Sequence, residues 1–142
     1  MSGLGITGVD HVGIAVADLD SALDFYREKF GFEVEHLETN EEQGVTEAMV
    51  RVGQSDVRLQ ILAPLTPESP IAKFLDRSGP GIQQLAYRVV DINAACAAAT
   101  ANGMRLLFAE PKRGTANSKI NFIHPKDAGG VLVELVEPAS SH

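Results

Sequence analysis

Gly8-Val9-Asp10-His11-Val12-Gly13-Ile14-Ala15-Val16-Ala17-Asp18-Leu19 and Gly81-Ile82-Gln83-Gln84-Leu85-Ala86-Tyr87-Arg88-Val89-Val90-Asp91-Ile92 are two versions of one pattern, 73 residues apart. Each alternates apolar and polar residues with the period of a strand, then reaches an Asp suited to cap a helix. In the first version Val12, Ile14 and Val16 share one face, and His11, Gly13 and Ala15 share the other. A second match follows downstream, where Val57-Arg58-Leu59-Gln60-Ile61-Leu62-Ala63-Pro64 lies over Val131-Leu132-Val133-Glu134-Leu135-Val136-Glu137-Pro138 at an offset of 74. His11 therefore corresponds to Gln84, and Gln60 to Glu134. Four side chains with nitrogen or oxygen donors occupy two pairs of equivalent positions, and a pseudo-two-fold pairing of the copies would bring all four to one metal.

Working outward, each copy reads βαβββ. Asp18 opens a helix with Leu19, Ala22, Leu23, Tyr26 and Phe30 on its apolar stripe, stopped by Gly31, and Asp91 opens one with Ile92, Ala95, Cys96 and Ala99, stopped by Gly103. The following strands are predicted over 32–38, 46–52 and 57–62 in the first copy, and over 105–109, 120–124 and 131–136 in the second. Residues 65–80 link the copies, and Ser69-Pro70 starts a short helix carrying Ile71, Phe74 and Leu75. The fold class expected is α+β. Module 8–64 and module 81–138 would pair into a curved half-barrel sheet within a single domain spanning 1–142, closed by a loose tail over 139–142.

Composition narrows the function classes. The 142 residues, 44% of them hydrophobic, suffice for one domain with a real core. A net charge of −7 argues against a nucleic-acid surface, so an anionic substrate must be met by local cations or a metal. One cysteine, Cys96, excludes a disulfide framework or thiolate cluster and fits a reducing cytoplasm. No apolar run approaches the ~20 residues of a membrane span, and Met1 to Thr7 lacks the charged start and apolar stretch of a signal peptide.

In each strand the polar residue of interest opposes the continuous apolar set. Gln60 alternates with Leu59 and Ile61, Gln84 with Leu85 and Tyr87, and Glu134 with Val133 and Leu135. Glu134 is the hardest to read as ordinary surface, because a carboxylate amid aliphatics needs a cation or hydrogen bonds unless its strand is an edge facing water. Glu47 shares its strand face with Val45 and Met49, a setting that raises a carboxylate's pKa and suits a proton acceptor. Gln83 points to the opposite face, with a hydrogen-bonding role only. His124 reads as part of a turn, and Lys119 and Lys126 as surface lysines or as cations for an anionic substrate.

Three segments carry a family likeness: Asp10 to Val16, Glu42 to Met49, and Ser118 to Leu135. With them the chain resembles the vicinal oxygen chelate superfamily of glyoxalases, ring-cleaving dioxygenases and antibiotic-sequestering proteins, and within it the methylmalonyl-CoA epimerases, over nearly the whole length from Val9 to Pro138. The resemblance implies a divalent metal, Co²⁺ foremost with Mn²⁺, Mg²⁺, Ni²⁺ or Zn²⁺ as other occupants, held by His11, Gln60, Gln84 and Glu134. It implies a glutamate base at Glu47, with Glu134 as the second acid–base group, and an acyl-CoA thioester substrate contacted by Lys119, Asn121 and His124. A cytoplasmic homodimer is the expected assembly. The family's second histidine is replaced here by Gln84, leaving one nitrogen and three oxygen donors and a harder site. The reaction implied is 1,1-proton transfer at C2 of methylmalonyl-CoA. A glyoxalase-type lyase and a metal-free binding protein of the same fold are the alternatives.

Overall fold

The computed structural model describes residues 3–140, so Ser141 and His142 of the expected tail lie outside the described residues. Eight strands and three α-helices follow the βαβββ pattern twice: β1 (Ile6–Ala15), α1 (Leu19–Phe25), β2 (Glu33–Asn40), β3 (Val45–Arg51), β4 (Arg58–Pro64), α2 (Pro70–Ser78), β5 (Gly81–Val89), α3 (Ile92–Ala101), β6 (Lys112–Arg113), β7 (Lys119–Ile123) and β8 (Val133–Glu137). Contacts divide the chain into a first unit, residues 11–83, and a second unit, residues 3–10 with 84–140. The break falls inside β1, between Asp10 and His11.

In the first unit the strand order is β2-β3-β4-β1. The end of β1 runs parallel to β4, with Gly13 opposite Gln60, and β3 is antiparallel to β4, with Glu47 opposite Leu62 and Met49 opposite Gln60. Leu23, Ala48, Val50 and Ile61 form the core beneath α1, with Ile14, Val16, Leu19, Ala22 and Tyr26 packed around them. The opposite sheet face carries Ala15, Val45 and Leu62 against Ile71, Phe74 and Leu75 of α2. Asp18 caps α1 by accepting from the Ser21 amide at 3.0 Å, and Ser69 caps α2 by accepting from the Ile71 amide at 3.1 Å. The helix begun at Leu19 widens into a π-helical segment, Tyr26–Phe30, before Gly31 closes it at φ 71°. This extra residue per turn displaces Phe30 from the expected stripe. It is 58% exposed and stacks on Phe32 with ring centroids 5.2 Å apart.

The second unit repeats the arrangement as β5-β8-β7-β6. Ala86 lies opposite Glu134 across parallel β5 and β8, and Ile120 and Phe122 lie opposite Val136 and Glu134 across antiparallel β7 and β8. Gly13 with Gln60 and Ala86 with Glu134 thus reproduce in space the offsets of 73 and 74 read from the sequence. Val89, Ile92, Ala95, Cys96, Ala99, Ile123, Val133 and Leu135 form the core beneath α3. The chain's start joins this unit, with Leu4 packed against that core, Val90 N–H donating to the Gly5 carbonyl at 3.3 Å, and Arg88 paired with Asp10 at 3.0 Å.

One predicted strand is corrected. Residues 105–109 form no regular ladder with β7, their backbone meeting that edge at an isolated bridge between Leu106 and Ile123 and at two flanking hydrogen bonds, Leu107 N–H to the Phe122 carbonyl and His124 N–H to the Arg105 carbonyl, each 2.8 Å. The regular ladder on that edge is Lys112–Arg113. Asn121 explains the interruption. Its side chain accepts from Phe108 N–H at 3.1 Å and donates to the Phe108 carbonyl at 3.0 Å, occupying both groups that a neighbouring strand's backbone would have used.

Candidate active site

The strand period places His11, Glu47 and Gln60 on the α2 side of the first unit's sheet, alternating with residues that pack under α1. All three are 3% exposed. The Gln60 amide nitrogen donates to Glu47 Oε2 at 2.9 Å. In the second unit Gln84 and Glu134 lie on the sheet face away from α3, at 5% and 4% exposure, and the Gln84 amide nitrogen donates to Glu134 Oε1 at 2.6 Å. Glu134 is on β8, flanked by β5 and β7, so its strand is not an edge. Each unit therefore holds a buried carboxylate locked by a glutamine amide, a charge-assisted contact stronger than a neutral one.

The two units are not chemically equivalent. Register sets Ile120 opposite Val136 where the first unit has Glu47 opposite Leu62, so the strand that carries the buried carboxylate in one copy carries an aliphatic in the other. Ile120 packs with Ala86 and Val136, and Phe108 and Phe122 close over them edge to face at 5.8 Å.

The donor chemistry fits a divalent cation. With both amide nitrogens spent on carboxylates, the atoms Gln60 and Gln84 have to offer a metal are their carbonyl oxygens. The first unit offers an imidazole and an amide oxygen and the second an amide oxygen and a carboxylate, donor types suited to Mg²⁺, Mn²⁺ or Co²⁺. Among the described residues no group of three His, Cys, Asp or Glu gathers, and the expected set, half of it amides, is not of that composition.

The remaining expected residues are placed less uniformly. Asn121 is fully buried on the α3 side of β7, its amide engaged by Phe108 and 3.6 Å from Cys96 Sγ, so its contacts are those of an internal brace. Lys119 is exposed on that same strand face, opposite Glu137. His124 caps the short turn Pro125–Asp127, its Nδ1 accepting from Lys126 N–H at 3.1 Å. Gln83, expected to hydrogen-bond, instead has its Oε1 buried with no hydrogen-bond partner among the described residues. Burial pushes the Cys96 thiol above its ordinary pKa, opposed by the Asn121 contact, which disfavours a thiolate nucleophile. Lys112 was not singled out by the sequence. It is exposed at the edge of the second unit's sheet, on the Glu134 side, with its ammonium 4.9 Å from the Phe108 ring centroid. Its alternation with Arg113 was the available signal, but a two-residue strand is too short to be read as periodic.

Residues 10–122 match the model of the Glyoxalase/Bleomycin resistance protein/Dioxygenase superfamily. The chain belongs to that superfamily. Within this superfamily it is similar to a crystal structure of methylmalonyl-CoA epimerase from Mycobacterium tuberculosis, with 57% identity and a TM-score of 0.93 over 96% of this chain and 91% of that one. It is 39% identical over 129 residues to the ethylmalonyl-CoA/methylmalonyl-CoA epimerase of Cereibacter sphaeroides, covering 89% of this chain and 95% of the relative. A methylmalonyl-CoA epimerase solved in complex with methylmalonyl-CoA and NH4+ overlays with a TM-score of 0.91 at 44% identity, over 95% of this chain and 96% of the other. The superfamily's α+β fold, with two βαβββ modules, is the fold of this chain.

Proposed function

We propose that this chain is an isomerase that interconverts the 2R and 2S epimers of methylmalonyl-CoA by proton transfer at C2. The observation that carries the reading is Glu47: a buried carboxylate on a sheet face, oriented by Gln60, in a chain 39–57% identical to epimerases that act on this thioester.

The chemistry requires a proton to leave a carbon flanked by a thioester and a carboxylate, so that negative charge builds beside charge already present. His11, Gln60, Gln84 and Glu134 would hold a divalent cation, Co²⁺ foremost, and such a cation supplies positive charge at the thioester and carboxylate oxygens. Glu47 takes the proton on one face of C2. The Gln60 amide fixes its Oε2, leaving the carboxylate one orientation for the transfer. Inversion needs a second proton carrier on the opposite face. Its strand counterpart Ile120 has no proton to give, so the role falls to Glu134, the counterpart of Gln60 in the repeat. Lys119 and His124 are assigned to the outer part of the substrate, and Asn121 to holding the Phe108 segment in place.

Among the described residues no helix is long and apolar enough to cross a membrane. A cytoplasmic homodimer completes the reading, argued from the single buried thiol and from family likeness. The test is incubation with methylmalonyl-CoA in D₂O, with and without Co²⁺ or Mn²⁺. Metal-dependent deuterium incorporation at C2 with epimerisation is expected. Absence of exchange under every metal would sink the epimerase reading and bring the binding-protein alternative forward.

A further inference from the structure

Edge strand β2 breaks the alternation of its own side chains. Val34 pairs with Val50 and packs into the core beneath α1, yet His36, two residues on, pairs with Met49 on the other face of the sheet, the face of Glu47 and Gln60. The register shifts by one residue at Glu35, whose carboxylate is held by Arg58 Nε at 2.6 Å and Arg51 Nη1 at 3.4 Å. Bulges of this kind re-aim a side chain and recur beside active sites. Without the shift His36 would lie on the α1 side and Glu35 opposite Met49.

The re-aimed histidine leads toward Glu47. His36 Nε2 lies 2.7 Å from Glu38 Oε1, and Glu38 stands directly opposite Glu47 across β2 and β3. Residues so opposed have Cβ atoms about 4.5–5.5 Å apart, a span that two glutamate side chains on one face bridge directly or through one water. Side-chain exposure falls from 41% at His36 to 15% at Glu38, and Glu47 is 3% exposed. The row thus runs from solvent to the buried carboxylate, with an imidazole at its outer end, a group that takes a proton on one ring nitrogen and gives one up from the other. Symmetry between the copies does not account for it, because the second unit has Lys112 opposite Ile120 where the first has Glu38 opposite Glu47.

The reaction gives such a row a task. Each inversion that begins at Glu47 leaves its carboxyl protonated and Glu134 one proton short. Glu47 must shed that proton before it acts on the next molecule of the same epimer, and it is buried, with the Gln60 amide on its Oε2. We infer that Glu38 and His36 form the relay that returns the Glu47 proton to water, acting through Glu47 and not on the substrate. The inference rests on the epimerase reading above. Glu47 O–H gives its proton to the Glu38 carboxylate, Glu38 passes it to His36 Nε2, and the imidazole, entering with its hydrogen on Nδ1, releases that hydrogen to water. Glu47 and Glu38 end as carboxylates, His36 ends as the Nε2–H tautomer and resets by exchange with solvent, and one proton has left.

The test is steady-state epimerisation by wild type, His36→Ala and Glu38→Gln, with and without free imidazole in the buffer, alongside thermal melts. A slowed reset limits turnover only when substrate is plentiful, so kcat is expected to fall about tenfold or more in both variants while kcat/KM stays within about twofold of wild type. Imidazole, entering the space left by His36→Ala, is expected to restore kcat in that variant in proportion to its concentration and to leave wild type unchanged. Parallel losses in kcat and kcat/KM with no gain from imidazole would show that the pair only supports the strand, and would overturn the relay. An unchanged kcat in either variant would overturn it too. An active wild type with either of those results removes the relay alone, whereas a wild type that does not turn over methylmalonyl-CoA sinks the epimerase reading and the relay with it.

Discussion

The Gln60 side-chain amide donates to the Glu47 carboxylate across 2.9 Å, between neighbouring antiparallel strands that leave each residue 3% exposed. A carboxylate withdrawn from water is costly unless hydrogen-bonded, and this contact both offsets part of that cost and fixes the oxygen's direction.

Glu47→Gln is therefore expected to keep the fold, since it preserves shape and removes a buried charge, while turnover of methylmalonyl-CoA drops by about 10²-fold or more. The check is epimerisation rate alongside a thermal melt. A loss below about tenfold would take Glu47 out of the proton-transfer role.

Gln84 stands where the resemblance implies a second histidine, and its amide nitrogen is bound to Glu134 at 2.6 Å. Gln84→His exchanges an amide oxygen for an imidazole nitrogen, which favours Co²⁺ and Zn²⁺ over Mg²⁺. Calorimetric titration of the apoprotein should show tighter Co²⁺ binding in the variant and a larger Co²⁺ to Mg²⁺ affinity ratio. Equal ratios in the two proteins would remove Gln84 from the ligand set.

Asn121 separates a structural role from a substrate-contacting one. Replacing it by Ala removes the partner of the Phe108 N–H and carbonyl in a half-exposed segment, and each hydrogen bond lost costs about 0.5–1.5 kcal/mol. Chemical denaturation should show a loss of that order. A variant of unchanged stability with a raised KM would return Asn121 to the substrate-binding set.

Arg105 holds Asp127 through its backbone N–H and both guanidinium contacts, at 2.9, 2.8 and 3.2 Å, and lowers the carboxyl to about 2 from its ordinary 3.8. The folded state thus binds this proton less readily than the unfolded chain does. Its contribution to stability is fully present above pH 3.8 and is lost as the pH falls toward 2. Melting midpoints of wild type and Asp127→Asn should differ by a constant amount at neutral pH and converge across that acid window. A gap that persists below pH 2 would show that the pair acts through packing instead.

Much of this protein was legible in its sequence because the deciding rules are short-ranged. Alternation put His11, Gln60, Gln84 and Glu134 on the polar side of their strands, and all four are buried there. Asp18, Asp91 and Ser69 cap their helices through contacts two or three residues away. The constant offset between the copies reappeared as matching register, Gly13 to Gln60 and Ala86 to Glu134.

Contacts between residues distant in sequence settled the rest. Asn121 looked like one more polar residue near a site, and only its meeting with Phe108, 13 residues away, turned it into a brace and broke the strand expected over 105–109. Lys112 gained its place on the Glu134 side from two successive strand registers, which no local pattern encodes. Residues 3–10 joined the second unit although the last three of them open the first copy, because Gly5 and Asp10 meet Val90 and Arg88. A period of two fixes which way a side chain faces. What it faces depends on which strand lies alongside, and that is decided when the sheet assembles.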